Sequence, residues 1–572
     1  MNNQNSARFM SAADGMRLPS AFVASTSLAL LVTALALPSL ASSNSEKTQA
    51  SNKSAPSNPI IFADFSDPDV VEHNGYYTLV ASSFNHQPGV PVLQSTDLIH
   101  WQRIGFVMNN HPQTEYFAIP RHGQGMWAPC IRYHNGKFWV FMPDPDYGIY
   151  VSTATQPTGP WSEPHLLLPG KGIIDPTPMW VTDADTGEVK AYLLHAWAKS
   201  RAGFNNVLTL RSMTPDAKTI LDEGKVVIDG NQLPGFRTLE GPKFYQRGEY
   251  FYIFAPAGGV EEGWQTVFRA KDIEGPYETR VTLEQGTTDV NGPHQGAWVT
   301  GPEGQDWFIH FQDRNAYGRI VHMQPMVWIN DWPVMGKDID GNGVGEPVEI
   351  LAIDAAQQPL AGLTTSDTFD GETLGAQWQW NANWQPGWYR LSEGKLSLYA
   401  QPAHSNLWQQ PALISQMVYG PSMSVETQLN WQNMAQGDEA GLVVYGYDYA
   451  WLGIEKLNDT QRLIYRTCVD TLNQCQEQTL FEDNKLLTNK DNASSAVDLA
   501  VDLKVTIQET GPRQATAQFS YKLPQSQYWS AIEQQFTLRP GRWVGARVGL
   551  FSQNKTNGNG HIKVEHFAVK LN

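Results

Sequence analysis

Three acids and a histidine stand in matching contexts that are far apart in the chain. Asp67-Pro68 leads to a turn at Asn74-Gly75 and the apolar run Tyr76-Tyr77-Thr78-Leu79-Val80-Ala81. Asp175-Pro176 leads to Gly187 and Ala191-Tyr192-Leu193-Leu194, and Glu240-Gly241-Pro242 leads to Gly248 and Tyr250-Phe251-Tyr252-Ile253. His294 precedes Gly304 and Trp307-Phe308-Ile309-His310. The remaining member is chemically inert: Ala128-Pro129-Cys130-Ile131, then Asn135-Gly136 and Phe138-Trp139-Val140-Phe141. If these positions met, the acids would oppose one another's ionisation, so that one stays protonated while another takes up a proton. That is the requirement for paired general acid and base catalysis.

The spacing says how they would meet. The five marks lie 61, 47, 65 and 54 residues apart. Recurring units of about 50 residues, each a hairpin with further strands, indicate a β-propeller. The first strand of every blade lines the central channel, so equivalent positions of five blades converge on its axis. The blade ends also rhyme, in Ser95-Thr96-Asp97-Leu98-Ile99-His100-Trp101, Thr158-Gly159-Pro160-Trp161 and Glu274-Gly275-Pro276-Tyr277. We place the propeller at 58–350 and a linker at 351–365. Short alternating strands such as Lys395-Leu396-Ser397-Leu398-Tyr399 and Met423-Ser424-Val425-Glu426-Thr427-Gln428-Leu429 then fill 366–572, as in a β-sandwich of jelly-roll type. The expected architecture is all-β: a five-bladed β-propeller followed by a β-sandwich.

A formal net charge of −17 argues against nucleic acid or an anionic lipid surface as a partner. The 20 Trp suit sheet cores, with a few left over for sugar faces. Arg8 and Arg17 precede an apolar run from Ala21 to Leu37, then Pro38 and the small-residue site Ser39-Leu40-Ala41. This reads as a secretory signal over 1–41, with a polar linker at 42–57 and a secreted or periplasmic product that does not reside in the membrane. Cys468 and Cys475 are placed to bridge the arms of a hairpin in an oxidising compartment, while Cys130 reads as a buried small apolar residue. Asp338-Ile339-Asp340-Gly341-Asn342-Gly343 with Glu349 has the spacing of a calcium loop. Pro347 and the lack of flanking helices favour a surface turn.

Taken together, Asp67-Pro68, Trp127-Ala128-Pro129, Ile174-Asp175-Pro176, Leu239-Glu240-Gly241-Pro242 and His294 resemble glycoside hydrolase family 43. The C-terminal half resembles the concanavalin A-like sandwich attached to that family's β-xylosidases. The resemblance implies an inverting, exo-acting glycosidase that needs no cofactor for its chemistry. Asp67 would be the general base, Glu240 the general acid, and Asp175 the carboxylate that orients the acid and holds its pKa up. It implies that Phe84 and Trp127 wall the sugar pocket, and that His294 reaches a structural calcium at the propeller axis through water. The family's late arginine has no clean match in His310-Phe311-Gln312-Asp313-Arg314; Gln312 and Arg319 are the closing-blade candidates for substrate contact. Asn85-His86-Gln87-Pro88 replaces an aromatic-rich stretch. The expected substrate is a xylo-oligosaccharide or plant cell-wall glycan carrying terminal xylose, with terminal arabinofuranose as the alternative. A non-catalytic glycan-binding propeller would have no need of a base opposite an acid. A fructan-cleaving relative would want Asn-Asp-Pro-Asn-Gly where this chain has Ser66-Asp67-Pro68-Asp69-Val70.

Overall fold

The computed structural model describes residues 55–353, 360–458, 460–483, 499–524 and 526–572. The signal-like segment at 1–41 lies outside the described residues. Among those residues no helix is long and apolar enough to cross a membrane.

Five four-stranded antiparallel sheets follow one another, each in simple sequential strand order. Their first strands are Asp69–His73, Cys130–His134, Ile173–Thr182, Lys243–Arg247 and His294–Thr300. Asn74-Gly75 and Asn135-Gly136 have positive φ at both residues, as two-residue type I′ hairpin loops require; Asn330-Asp331 makes a third such turn. The rhyming Gly159-Pro160 and Gly275-Pro276 are both cis. The ring closes when residues 57–65 run back onto the fifth sheet. There Ile61 and Val321 exchange backbone hydrogen bonds, and Phe65 N–H donates to Arg319 O at 3.1 Å.

A belt of polar side chains ties the inner strands together. Asp69 accepts from Ile131 N–H at 2.8 Å and pairs with Arg132 at 2.7 Å. Arg132 reaches Thr177 Oγ1 at 3.2 Å, and that oxygen accepts from Phe244 N–H at 3.1 Å. Asp69 is thus a blade-to-blade tie, although it stands two residues from Asp67.

The C-terminal sandwich consists of two eight-stranded sheets. Its strands alternate inward and outward as the pattern predicts; Ser422–Asn430 buries every second residue. Cys468 and Cys475 are disulfide-bonded with Cα atoms 5.6 Å apart, and Cys130 is a buried free thiol. The calcium-like loop is a turn whose Asp338 carboxylate accepts from Gly341 and Gly343 N–H. The sandwich and the first and fifth blades share one apolar core, from Phe65 and Trp307 to Trp380 and Leu550.

Gln87 and Trp380 exchange two backbone hydrogen bonds, at 3.0 and 2.6 Å, and Asn85 donates to Asn381 O at 2.8 Å. This explains Asn85-His86-Gln87-Pro88: it is the seam on which the sandwich docks, so it has no call for sugar-binding rings.

Candidate active site

At the channel mouth a cavity of about 110 Å³ is lined by Asp67, Asp175, Glu240, Phe84, Trp127 and Arg319, with Ala128, Ile174, Gln295, Val260 and Trp543 completing the wall. The three acids of the first, third and fourth repeats therefore do meet. The backbone around them is unusual. Asp67, Phe84, Asp175, Gln295 and Trp543 all have φ between 43° and 67°, in the left-handed region that residues with side chains avoid. Each costs on the order of 1–3 kcal/mol and persists only where the surrounding fold imposes it. Five of them around one cavity mark it as a site built for placement rather than for stability.

Asp67 accepts from Ser82 Oγ at 2.6 Å and from Arg319 Nη1, which lies 3.0 Å from Oδ1 and 3.2 Å from Oδ2. Asp175 Oδ2 accepts from Gly241 N–H at 2.8 Å, which fixes the peptide directly after Glu240. Gly241 itself has φ 58°, and a Cβ there would strike the Gln295 side chain at 2.8 Å. Burial first, and then the neighbouring Asp175 carboxylate, push the Glu240 carboxyl well above the usual carboxylate range. Asp175 is also raised, by burial and by Asp67, against the Gly241 hydrogen bond that pulls it down. Only 23 % of the Glu240 side chain is accessible, by way of the cavity. The pair is thus arranged so that the acid facing the cavity keeps its proton.

His294 is fully buried, with Nε2 3.6 Å from Glu240 Oε1, longer than a hydrogen bond, and neither ring nitrogen has a protein partner. Burial lowers its pKa to about 3, so the ring is neutral. Among the described residues no group of three or more His, Cys, Asp or Glu converges as directly bound metal would require. A lone neutral imidazole with both ring nitrogens unpartnered fits contact to a calcium through water, as the resemblance implies, and not a place among the ion's own six to eight oxygens.

Gln312 is not at the cavity. Its amide donates to Asp289 O at 2.8 Å and Asn291 Oδ1 at 2.9 Å, and so secures the loop before His294. The register explains the difference from Arg319. Gln312 pairs with Ile320, whereas Arg319 pairs with Asp313, so the two side chains leave opposite faces of one hairpin.

Among the residues that contribute to the site and were not named from the sequence, Trp543 and Asp64 bring in the second domain. Trp543, from the sandwich, is 45 % exposed and stands edge-on to Trp127 with ring centroids 6.3 Å apart; Phe84 lies 6.2 Å from Trp127. Asp64 holds Trp543 in place from beneath. Its buried carboxylate accepts from Arg319 N–H and Gly545 N–H, both at 2.9 Å, and from Ser66 Oγ at 2.8 Å. One side chain thus anchors both the arginine on Asp67 and the loop carrying Trp543. No substitution can be added to that joint freely, since a Cβ on Gly545 would lie 2.7 Å from Gly318 N. Asp64→Asn would turn an amide donor toward one of the two backbone N–H groups, at a cost of about 1–3 kcal/mol. The expected result is a lower thermal unfolding midpoint together with reduced kcat/KM; a variant with the wild-type midpoint would show that Asp64 holds nothing.

The chain matches the model of glycosyl hydrolases family 43 over residues 56–333, and that of the beta xylosidase C-terminal concanavalin A-like domain over residues 366–570. A protein of Xylanibacter ruminicola named "Putative beta-xylosidase" is 40% identical over 394 residues, 68% of this chain and 72% of that one. A beta-xylosidase of Formosa agariphila is 28% identical over 562 residues, covering 89% of each chain. A non-reducing end alpha-L-arabinofuranosidase of Bacteroides ovatus is 27% identical over 437 residues, 72% of this chain and 78% of that one. Among solved structures, the xylan beta-1,4-xylosidase from Bacillus halodurans superposes with a TM-score of 0.76 at 22% identity, over 90% of this chain and 100% of that one.

Proposed function

This chain belongs to glycosyl hydrolases family 43 and is a glycosidase; from its pocket we propose that it is an inverting, exo-acting β-xylosidase that releases terminal xylose. The observation that carries this reading is the convergence of Asp67, Asp175 and Glu240 on one small cavity walled by Phe84, Trp127 and Trp543. Aromatic faces suit the apolar faces of a sugar ring, and a cavity of about 110 Å³ suits one ring rather than a chain running through. The name of the 40%-identical relative supports xylose.

Inversion takes a single displacement. A water between Asp67 and the anomeric carbon loses its proton to Asp67 as its oxygen attacks, and Glu240 delivers its own proton to the departing glycosidic oxygen. Arg319 and Ser82 hold the Asp67 carboxylate in one orientation through charge-assisted and hydroxyl hydrogen bonds. Asp175 fixes the Glu240 backbone and, with burial, keeps the acid protonated. Export is supported by the apolar leader ending at Ser39-Leu40-Ala41 and by the Cys468–Cys475 disulfide.

Terminal arabinofuranose is the second reading, favoured by the name of the Bacteroides ovatus relative. Aryl β-xylosides and aryl α-L-arabinofuranosides, with the products followed by proton NMR, separate the two. The expected result is faster cleavage of the xyloside with α-xylose as the first-formed anomer. First-formed β-xylose would overturn inversion, and preference for the arabinofuranoside would overturn the sugar.

A further inference from the structure

We propose that the loop closed by the Cys468–Cys475 disulfide is a positioning device for Trp543, holding that ring at the sugar pocket by way of Tyr447 and Asp448. This rests on the catalytic pocket read above, whichever pentose enters it. Trp543 needs such a hold. It lies in a turn closed by Gly541 N–H donating to Val544 O at 2.8 Å, with a left-handed φ of 67°, and nearly half of its surface is open to solvent. Packing around so exposed a ring does not fix it, so the backbone on either side must. On the C-terminal side Asp64 holds Gly545. On the N-terminal side the hold comes from a second loop of the sandwich. Tyr447 N–H donates to Pro540 O at 2.8 Å, and Arg539 Nη1 donates to Asp448 Oδ1 at 3.1 Å. The two backbones touch at Gly446, where a Cβ would lie 2.0 Å from Arg539 O.

Tyr447 and Asp448 are held in turn by the disulfide loop. Asp470 N–H donates at 2.7 Å to the same Asp448 Oδ1 that receives Arg539. Thr471 gives Tyr447 O two hydrogen bonds, from its N–H at 3.0 Å and its Oγ1 at 2.8 Å. Asp470 and Gln474, at φ 65° and 57°, bracket the single turn Thr471–Asn473, a shape that a short open segment does not keep unaided. The cross-link supplies that constraint. Beyond it the hairpin is secured independently: Tyr449 pairs with Cys468 in the sheet, and Glu477 accepts from Tyr449 Oη at 2.8 Å and Trp451 Nε1 at 3.1 Å. Opening the bond therefore frees residues 469–474 while the strands stay paired. What goes with the loop is the hold on Tyr447 and Asp448, and through them on the turn that carries Trp543. Residues 472–474 are exposed and Cys475 is half-buried, within reach of a small dithiol. In the exchange the two sulfurs of the dithiol are oxidised to a cyclic disulfide, and two electrons and two protons pass to Cys468 and Cys475 as thiols.

The test is a double-mutant cycle on kcat/KM of the full chain, with whichever aryl pentoside it cleaves. The bond is opened in two ways: by dithiothreitol, followed as a rise from one to three titratable thiols per chain, and by the paired change Cys468→Ser and Cys475→Ser. Either should lower kcat/KM by about tenfold, the scale expected when a substrate-positioning wall is displaced. In a Trp543→Ala background the same opening should cost less than about twofold, because the ring it places is gone. Asp448→Ala, with the disulfide intact, should show the same dependence on the ring. A loss of equal size with and without Trp543 would mean that the bond serves the fold at large. An unchanged kcat/KM in the fully reduced wild type would mean that the loop holds nothing. Each of these overturns the positioning role alone. A chain that cleaves neither the xyloside nor the arabinofuranoside overturns the reading of the pocket, and the positioning role with it.

Discussion

Asp67→Asn should lower kcat on every substrate by roughly a thousandfold, about 4 kcal/mol of barrier, while leaving the fold intact. The substitution is close to isosteric. Its amide oxygen can still accept from Arg319, 3.0 Å from the carboxylate oxygen it replaces, and the Ser82 hydroxyl at 2.6 Å can rotate to accept from the new NH₂ group. What is lost is the capacity to take a proton from water. No leaving group restores that, because attack and departure belong to one displacement, and a better leaving group does not deprotonate the nucleophile. The loss should therefore be similar for nitrophenyl xyloside and for xylobiose, with an unchanged thermal midpoint. A variant within about tenfold of wild type would mean that another group serves as base. Asp175, in the same cavity, is the candidate, and the double variant would then show the large loss.

The three acids were legible in the sequence because each heads a strand next to a proline and an aromatic hairpin, and because blades recur at a nearly constant interval. Local pattern was enough there, since a propeller converts equivalent position into spatial convergence. The same logic misplaced Gln312: nearness in sequence to the expected arginine said nothing about which face of the Asp306–Asp313 strand it occupies. Arg319 meets Asp67 across 252 residues, a pairing fixed by ring closure and not by any spacing. Trp543 was invisible for a stronger reason. It reaches the cavity only because Asp64 and Gly545 lock two domains together, and nothing in Pro540-Gly541-Arg542-Trp543-Val544-Gly545 distinguishes a pocket ring from a surface ring. Asp64 and Asp69 flank Asp67 closely on either side, yet one anchors the sandwich and the other ties neighbouring blades. Residue type and spacing separate neither of them from Asp67; only the partner across the fold does.

Glu240→Gln should behave differently, and the difference identifies the acid. Protonation of the leaving oxygen contributes most where the leaving group is poor, so xylobiose hydrolysis should fall by about 10³-fold and nitrophenyl xyloside hydrolysis by far less. The pH profile supplies a second readout. Burial and Asp175 hold the Glu240 carboxyl protonated up to about 8. Its ordinary pKa is lower, so the raised value extends the protonated, active form upward; kcat/KM of the wild type should be maintained through neutrality and fall as pH rises through about 8. Glu240→Gln removes the titrating group, and the alkaline limb should vanish along with most of the rate. Asp175→Asn removes the charge that discourages Glu240 from ionising, so the limb should move to lower pH while remaining visible. A limb that stays in place in both variants would show that some other group sets it, and a Glu240→Gln loss equal for good and poor leaving groups would remove Glu240 from the proton-donor role.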